Sequence, residues 1–191
     1  MPLTPEQRAR EKIDALLTAA GWIIQDNVTF NRNAGEGVAV REFSLPNGPC
    51  DYLLFVGGKA AGVVEAKKAG VTLSGVADQA AKYMAKLPDH LARWGEELIF
   101  DYESTGDETY FRDARDPESR SRRVFAFHQP QTLHAWLKED DTLRRRLQQL
   151  PSLDEAGLRD CQIEAIKGLD ASLAKDHPRA LIQMAQSLGK G

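Results

Sequence analysis

Three charged residues stand where an apolar run should exclude them. In CDYLLFVGGKAAGVVEAKK, residues 50–68, Asp51 lies near the start, and Glu65 and Lys67 lie one residue apart near the end. An unpaired charge buried in such a run is strongly unfavourable. The three residues are therefore either solvated strand ends or members of one site. Two carboxylates with a backbone carbonyl make an all-oxygen site for Mg2+, which takes few carboxylates and keeps several waters. A nearby ammonium can hold a water or balance charge developing on a phosphate. With no histidine among the three, zinc is a poor fit. The chemistry that suits the trio is cation-assisted phosphodiester hydrolysis. The plainer alternative is a strand-edge ion pair of Lys67 with Glu65 or Asp51, solvated and worth little.

The elements around the trio decide whether it can meet. Two apolar runs, 52–56 and 60–64, flank Gly57-Gly58-Lys59, a hairpin signal. Their apolarity is continuous rather than alternating, which predicts central strands covered on both faces. Glu65 and Lys67, two apart on a strand, share a face. With a three-residue turn, Val56 faces Ala60 and Asp51 falls opposite Glu65; a two-residue turn leaves them diagonal neighbours. Ser74 is a candidate cap for a helix to about Leu87, ended by Pro88. Gln79 and Tyr83 share a face of that helix at i, i+4, either as ordinary packing or to contact a DNA backbone or orient Lys67.

Elsewhere, Thr4-Pro5-Glu6-Gln7 reads as a helix start, with Ile13, Leu16, Leu17 and Ala20 at helical spacing and Gly21 as the stop. Strands are expected at 22–24, 38–43, 97–102 and 124–128, with a polar turn at 31–37, a tight loop at 44–49 and a hydrophilic stretch between the last two strands. Helices are expected at 131–137, at 143–150 and from Leu158, followed by a strand at 180–185. Pro151-Ser152 suggests a boundary. The layout is α/β, a central mixed sheet flanked by helices.

Bulk properties narrow the class. A chain of 191 residues with 42% hydrophobic and 28% charged residues is long enough for one sizeable core and argues against long disorder. Cys50 and Cys161 are far apart and in no metal-binding spacing, which fits a reducing compartment. The N-terminus has no apolar signal segment and no window approaches a membrane span, so a cytoplasmic protein with no membrane partner is expected. A net charge of −3 argues against non-specific DNA binding by the whole surface. The run SRSRRVF at 119–125 is a candidate local basic patch, or a solvated loop.

The combination of Asp51, thirteen intervening residues, Glu65-Ala66-Lys67, and then Gln79-Ala-Ala-Lys-Tyr83 resembles the PD-(D/E)XK nuclease superfamily. Within it, the chain looks like the N-terminal nuclease domain of the restriction (motor, HsdR-type) subunit of type I restriction-modification enzymes. Gly21-Trp22, Arg41-Glu42-Phe43, the 50–68 stretch and the Gln–Tyr helix carry the likeness over most of the chain. The resemblance implies a restriction-endonuclease-like fold over 1–150 and a Mg2+-dependent type I site-specific deoxyribonuclease acting on double-stranded DNA. It implies Asp51 and Glu65 as metal ligands, Lys67 as the catalytic lysine, and Gln79 and Tyr83 as accessory residues. An acidic residue on the first helix often completes such a metal site, and Glu11 is the nearest candidate. Methylation and specificity subunits are the implied partners.

The tail carries a second likeness. LRDCQIEAI at 158–166 resembles the adenine-reading Q motif of superfamily 2 helicases, with Gln162 as its glutamine. ALIQMAQSLGKG at 180–191 stands where a phosphate-binding loop would follow, but Ser187 replaces an expected glycine and Gly191 an expected hydroxyl residue. Residues 151–191 are thus expected to be a linker and the truncated start of a motor. ATP belongs only to an intact motor, and ATP hydrolysis is not expected here. The competing reading is a non-catalytic domain of the same fold that docks DNA or another subunit.

Overall fold

Ile13 and Leu17, four apart on one helical face, are fully buried, and they seat helix α1, Pro5–Ala19, against a sheet. The computed structural model of the chain describes residues 5–46, 48–68, 70, 87–177 and 179–183. Gly21 ends α1 as expected, at φ +89°, a left-handed conformation that glycine adopts without strain. The helix expected from Ser74 lies outside the described residues.

Among the described residues, seven strands follow in one mixed sheet whose spatial order is their chain order. They are β1 (Ile23–Asp26), β2 (Gly37–Leu45), β3 (Gly48–Val56), β4 (Lys59–Ala66), β5 (Phe100–Ser104), β6 (Thr109–Asp113) and β7 (Arg122–Val124). The pairs β1–β2 and β4–β5 are parallel, and the rest are antiparallel. A one-turn 3-10 helix, Asn27–Thr29, links β1 towards β2. Helix α2, Pro130–Lys138, follows β7.

The continuous apolar run on β3 is explained by two cores. Tyr52, Leu54 and Val56 pack on one face with Ile13, Leu17, Phe111 and Leu133. Leu53 and Phe55 pack on the other with Val63, Leu87, Leu91 and Leu98. Alternating side chains thus feed opposite layers, so the run from Tyr52 to Val56 is apolar throughout. Phe30 stacks on Phe55, with ring centroids 5.5 Å apart, and closes the second core near β1.

Two strand expectations are corrected. The hydrophilic stretch holds β6, where Thr109, Phe111 and Asp113 are buried in alternation. The expected strand at 124–128 retains only Val124 in β7, because the chain leaves the sheet edge there to enter α2. Phe127 then caps the core, and His128 bonds to the Tyr102 hydroxyl at 2.6 Å. Its carbonyl accepts from the Trp22 indole at 3.0 Å. In the 119–125 run, Arg122 lies over the Phe111 ring and Arg123 pairs with Glu108 at 3.3 Å, while Phe125 is fully exposed.

The chain divides into two compact units, Met1–Arg115 with Ser119–Asp140, and Asp116–Glu118 with Asp141–Gly191. Residues 141–150 therefore group with the C-terminal unit. That unit holds the short helix α3, Leu143–Leu147, and the longer α4, Asp160–Ala174. Arg144 pairs with Asp116 at 3.4 Å and also with Asp176. The strand expected at 180–185 is not formed over 180–183, where the unit offers no strand partner among the described residues; 184 and 185 lie outside them.

Candidate active site

The geometry of the charged trio begins at the turn. Gly57 and Gly58 both have positive φ, +55° and +75°, which defines a tight two-residue turn with Val56 opposite Lys59. That turn alone would leave Asp51 diagonal to Glu65. An irregularity between Leu54 and Phe55 then shifts the register by one, so that Leu54 faces Gly62 and Tyr52 faces Val64. One step further out, Asp51 stands level with Glu65. The bulge restores the register that a three-residue turn would have produced.

Hydrogen bonds fix the acid at the strand end. Asp51 Oδ2 accepts the Ala66 amide N–H at 2.9 Å, so its carboxylate leans onto the residue between Glu65 and Lys67. Its Oδ1 accepts from Arg10 of α1 at 2.6 Å. Glu65 Oε2 lies 3.5 Å from the Lys67 ammonium, while Glu65 Oε1 is buried without a hydrogen-bond partner. Burial and the Asp51 charge together push the Glu65 carboxyl upward, and Lys67 opposes them. Glu65, with an orphaned oxygen and a carboxyl pushed up by burial and the Asp51 charge, stands beside Asp51 as a donor pair that a divalent cation would relieve.

A second pair of acids flanks the trio. The Lys67 amide donates to the Ser104 carbonyl at 2.8 Å, which locks the residue after β4 onto β5. Glu103 pairs with Glu65 across the parallel β4–β5 ladder, and Asp101 with Val63. Both acids are almost fully buried. Burial, reinforced by Glu103, raises Asp101 to about 6, against opposing contributions from Arg112 and Lys67. Glu103 is also raised by burial, while the Lys67 charge pulls it down and Glu65 pushes it up. Asp51, Glu65, Asp101 and Glu103 thus make a neighbourhood rich in carboxylates around Lys67 and Arg10. The acids on β5 are residues that sequence reasoning missed. Their signal is Asp101 and Glu103 alternating within the apolar strand FDYES, as Glu65 and Lys67 alternate at the end of β4.

The remaining candidates fall elsewhere. Glu11 is exposed on α1, and it is Arg10, one residue earlier, that reaches Asp51. Gln79 and Tyr83 lie outside the described residues. Gln162 sits in the first turn of α4, where its Oε1 accepts the Arg159 amide at 2.9 Å and caps the helix start. Among the described residues, no group of three or more His, Cys, Asp or Glu is disposed to hold one metal ion. Asp51 and Glu65 are therefore at most a pair of carboxylates, a number of protein ligands that Mg2+ would accept with water filling the rest of its shell. Also among them, no helix is long and apolar enough to cross a membrane.

The fold is α/β, a seven-stranded mixed sheet flanked by helices, consistent with the restriction-endonuclease-like class. It superposes on a fragment of an HsdR subunit of a type I restriction enzyme from Vibrio vulnificus YJ016 with a TM-score of 0.51 and 21% identity, over 100% of this chain and 36% of that one. Residues 27–103, which include Asp51, Glu65 and Lys67, match the family described as the second domain of the type I restriction enzyme EcoKI endonuclease subunit. Along 97% of its length the chain is 24% identical to the EcoKI endonuclease subunit of Escherichia coli (strain K12). It spans 20% of that protein, about a fifth. The chain is similar to the N-terminal region of HsdR-type restriction subunits, in agreement with the resemblance read from its sequence.

Proposed function

We propose that this chain carries the DNA-cleaving site of a type I restriction subunit, a Mg2+-dependent endonuclease acting on phosphodiester bonds of double-stranded DNA. The observation that supports it is the meeting of Asp51, Glu65 and Lys67 at one end of the β3–β4 hairpin. Asp51 and Glu65 would hold the cation. When bound, Mg2+ supplies positive charge against the phosphate and makes a coordinated water more acidic. Lys67, held by the Ser104 carbonyl at its own amide, presents its ammonium beside Glu65. From there it orients the attacking water or offsets charge on the phosphate oxygens as the bond to the leaving oxygen breaks. The Lys67 charge also reaches Glu103 and Asp101, where it opposes the upward push that burial gives both carboxyls. Gln79 and Tyr83 are the accessory pair that the family resemblance adds.

The chain's share of the larger relative sets what it does alone. Recognition of a target and commitment to cutting belong to an assembly with methylation and specificity subunits and a motor. Gln162 would read adenine of ATP only in an intact motor. The test is cleavage by the reconstituted complex carrying Lys67→Ala. Loss of at least about 100-fold in cutting with DNA binding retained supports the assignment. Cutting at the parental rate overturns it.

A further inference from the structure

Arg10 touches the proposed metal ligand Asp51 directly. Its guanidinium is forked between two carboxylates, Asp51 at 2.6 Å and Glu42 at 2.5 Å. The two partners differ in kind. The Asp51 side chain is 17% exposed and the Glu42 side chain 66%, so Asp51 is the sheltered acid and Glu42 the open one. Glu42 also has φ +49°, a left-handed conformation that a non-glycine residue adopts only when its surroundings enforce it. The Asn27 side chain donates to its carbonyl at 3.2 Å and helps to hold that bend. A kinked strand thus presents a second carboxylate to the same guanidinium, next to the position level with Glu65.

Both Asp51 oxygens already have partners, Oδ2 the Ala66 amide and Oδ1 the guanidinium. A cation that took Oδ1 would meet Arg10 as a like-charged competitor. We infer that Arg10 is a positioning residue that holds Asp51 in place without metal and passes to Glu42 alone when a divalent cation takes Asp51. The inference rests on the metal role proposed for Asp51. Glu42 serves as the resting place for the displaced charge, which otherwise would remain against the cation.

Mn2+ binding to the 191-residue chain, measured by isothermal titration with folding checked by circular dichroism, tests this without reference to cleavage. Arg10→Met should bind Mn2+ roughly three- to tenfold more tightly, and Glu42→Gln several-fold more weakly, as expected for losing one side of an ion pair. In the Arg10→Met background, Glu42→Gln should have no further effect. Arg10→Lys, which keeps the charge and loses the fork, should lie between parent and Arg10→Met and serves if the methionine variant does not fold. Equal weakening by Glu42→Gln in both backgrounds indicates a general field effect and overturns the hand-over. Unchanged or weaker binding by Arg10→Met also overturns it, while the metal role stands if Asp51→Asn abolishes binding. Parental binding by Asp51→Asn removes the metal role itself.

Discussion

The amide of Ala66 donates to Asp51 Oδ2 at 2.9 Å, tying the acid of one strand to the residue that separates Glu65 from Lys67 on the next. This bond makes the proposed site a property of the hairpin backbone and not only of side chains that happen to be close. It also separates two kinds of Asp51 variant. Asparagine keeps an acceptor for the Ala66 amide, whereas alanine leaves that donor without one.

The first prediction follows from that difference. In the assembled restriction complex, Asp51→Asn and Lys67→Ala should each lower DNA cleavage by at least about 100-fold, with melting temperature changed little. Asp51→Ala should lose cleavage and also about 1 kcal/mol of stability, because the Ala66 amide loses its acceptor and Arg10 one of its two carboxylates. Cleavage assays paired with chemical denaturation check both parts. A cutting rate near the parental value for either of the first two variants contradicts the assigned roles.

Asp101 yields a pH signature. Burial, with Glu103 second, lifts its carboxyl from an ordinary 3.8 to about 6. Between those values the folded state holds a proton that the unfolded chain has released, so this group's contribution to stability falls as pH rises through the window. Above it the folded protein carries the full penalty of a buried carboxylate. Asp101→Asn should therefore stabilise the protein at pH 8, by on the order of 2 kcal/mol, and the gain should shrink to nothing near pH 4. Denaturant melts of parent and variant across pH 4–8 measure the difference. A gain independent of pH would show that Asp101 does not titrate in this range.

Gly62 sets how closely β4 approaches β5. A Cβ there would stand 2.3 Å from the Phe100 carbonyl oxygen and 2.8 Å from the Phe100 Cβ, and a backbone carbonyl cannot swing aside. Gly62→Ala should destabilise the fold by about 1–3 kcal/mol. Because β4 ends in Glu65 and β5 carries Glu103, the same variant should also weaken Mn2+ binding. Parental stability in urea unfolding would mean that the two strands separate more easily than this contact implies.

Much of this architecture is legible in the residues, and the reasons differ by element. The β3–β4 hairpin announces itself because two adjacent glycines mark a turn that needs positive φ, and because a strand covered on both faces has to be apolar throughout. The level placement of Asp51 and Glu65 was open to one residue's uncertainty. A bulge near Leu54 resolves it, and no periodicity encodes a single extra residue. Strand β6 was hidden because its buried positions include Thr109 and Asp113, polar residues that bond internally: Thr109 to the Ser104 hydroxyl at 2.9 Å and Asp113 to Arg115. Arg10 was invisible for a different reason. An arginine on an amphipathic helix ordinarily reads as a solvated residue, and only the docking of α1 onto Tyr52, through Asp14 at 2.8 Å, turns it towards Asp51. Glu11, the neighbouring acid on the same helix, is exposed.

The proposed site requires that Asp51 and Glu65 share one divalent cation beside Lys67. Anomalous diffraction from crystals of the protein soaked in Mn2+ tests it most directly. A single strong peak is expected at the end of the β3–β4 hairpin, within about 2.0–2.3 Å of one oxygen from each of the two carboxylates. A fully occupied peak elsewhere on the N-terminal unit, with none between Asp51 and Glu65, would contradict it.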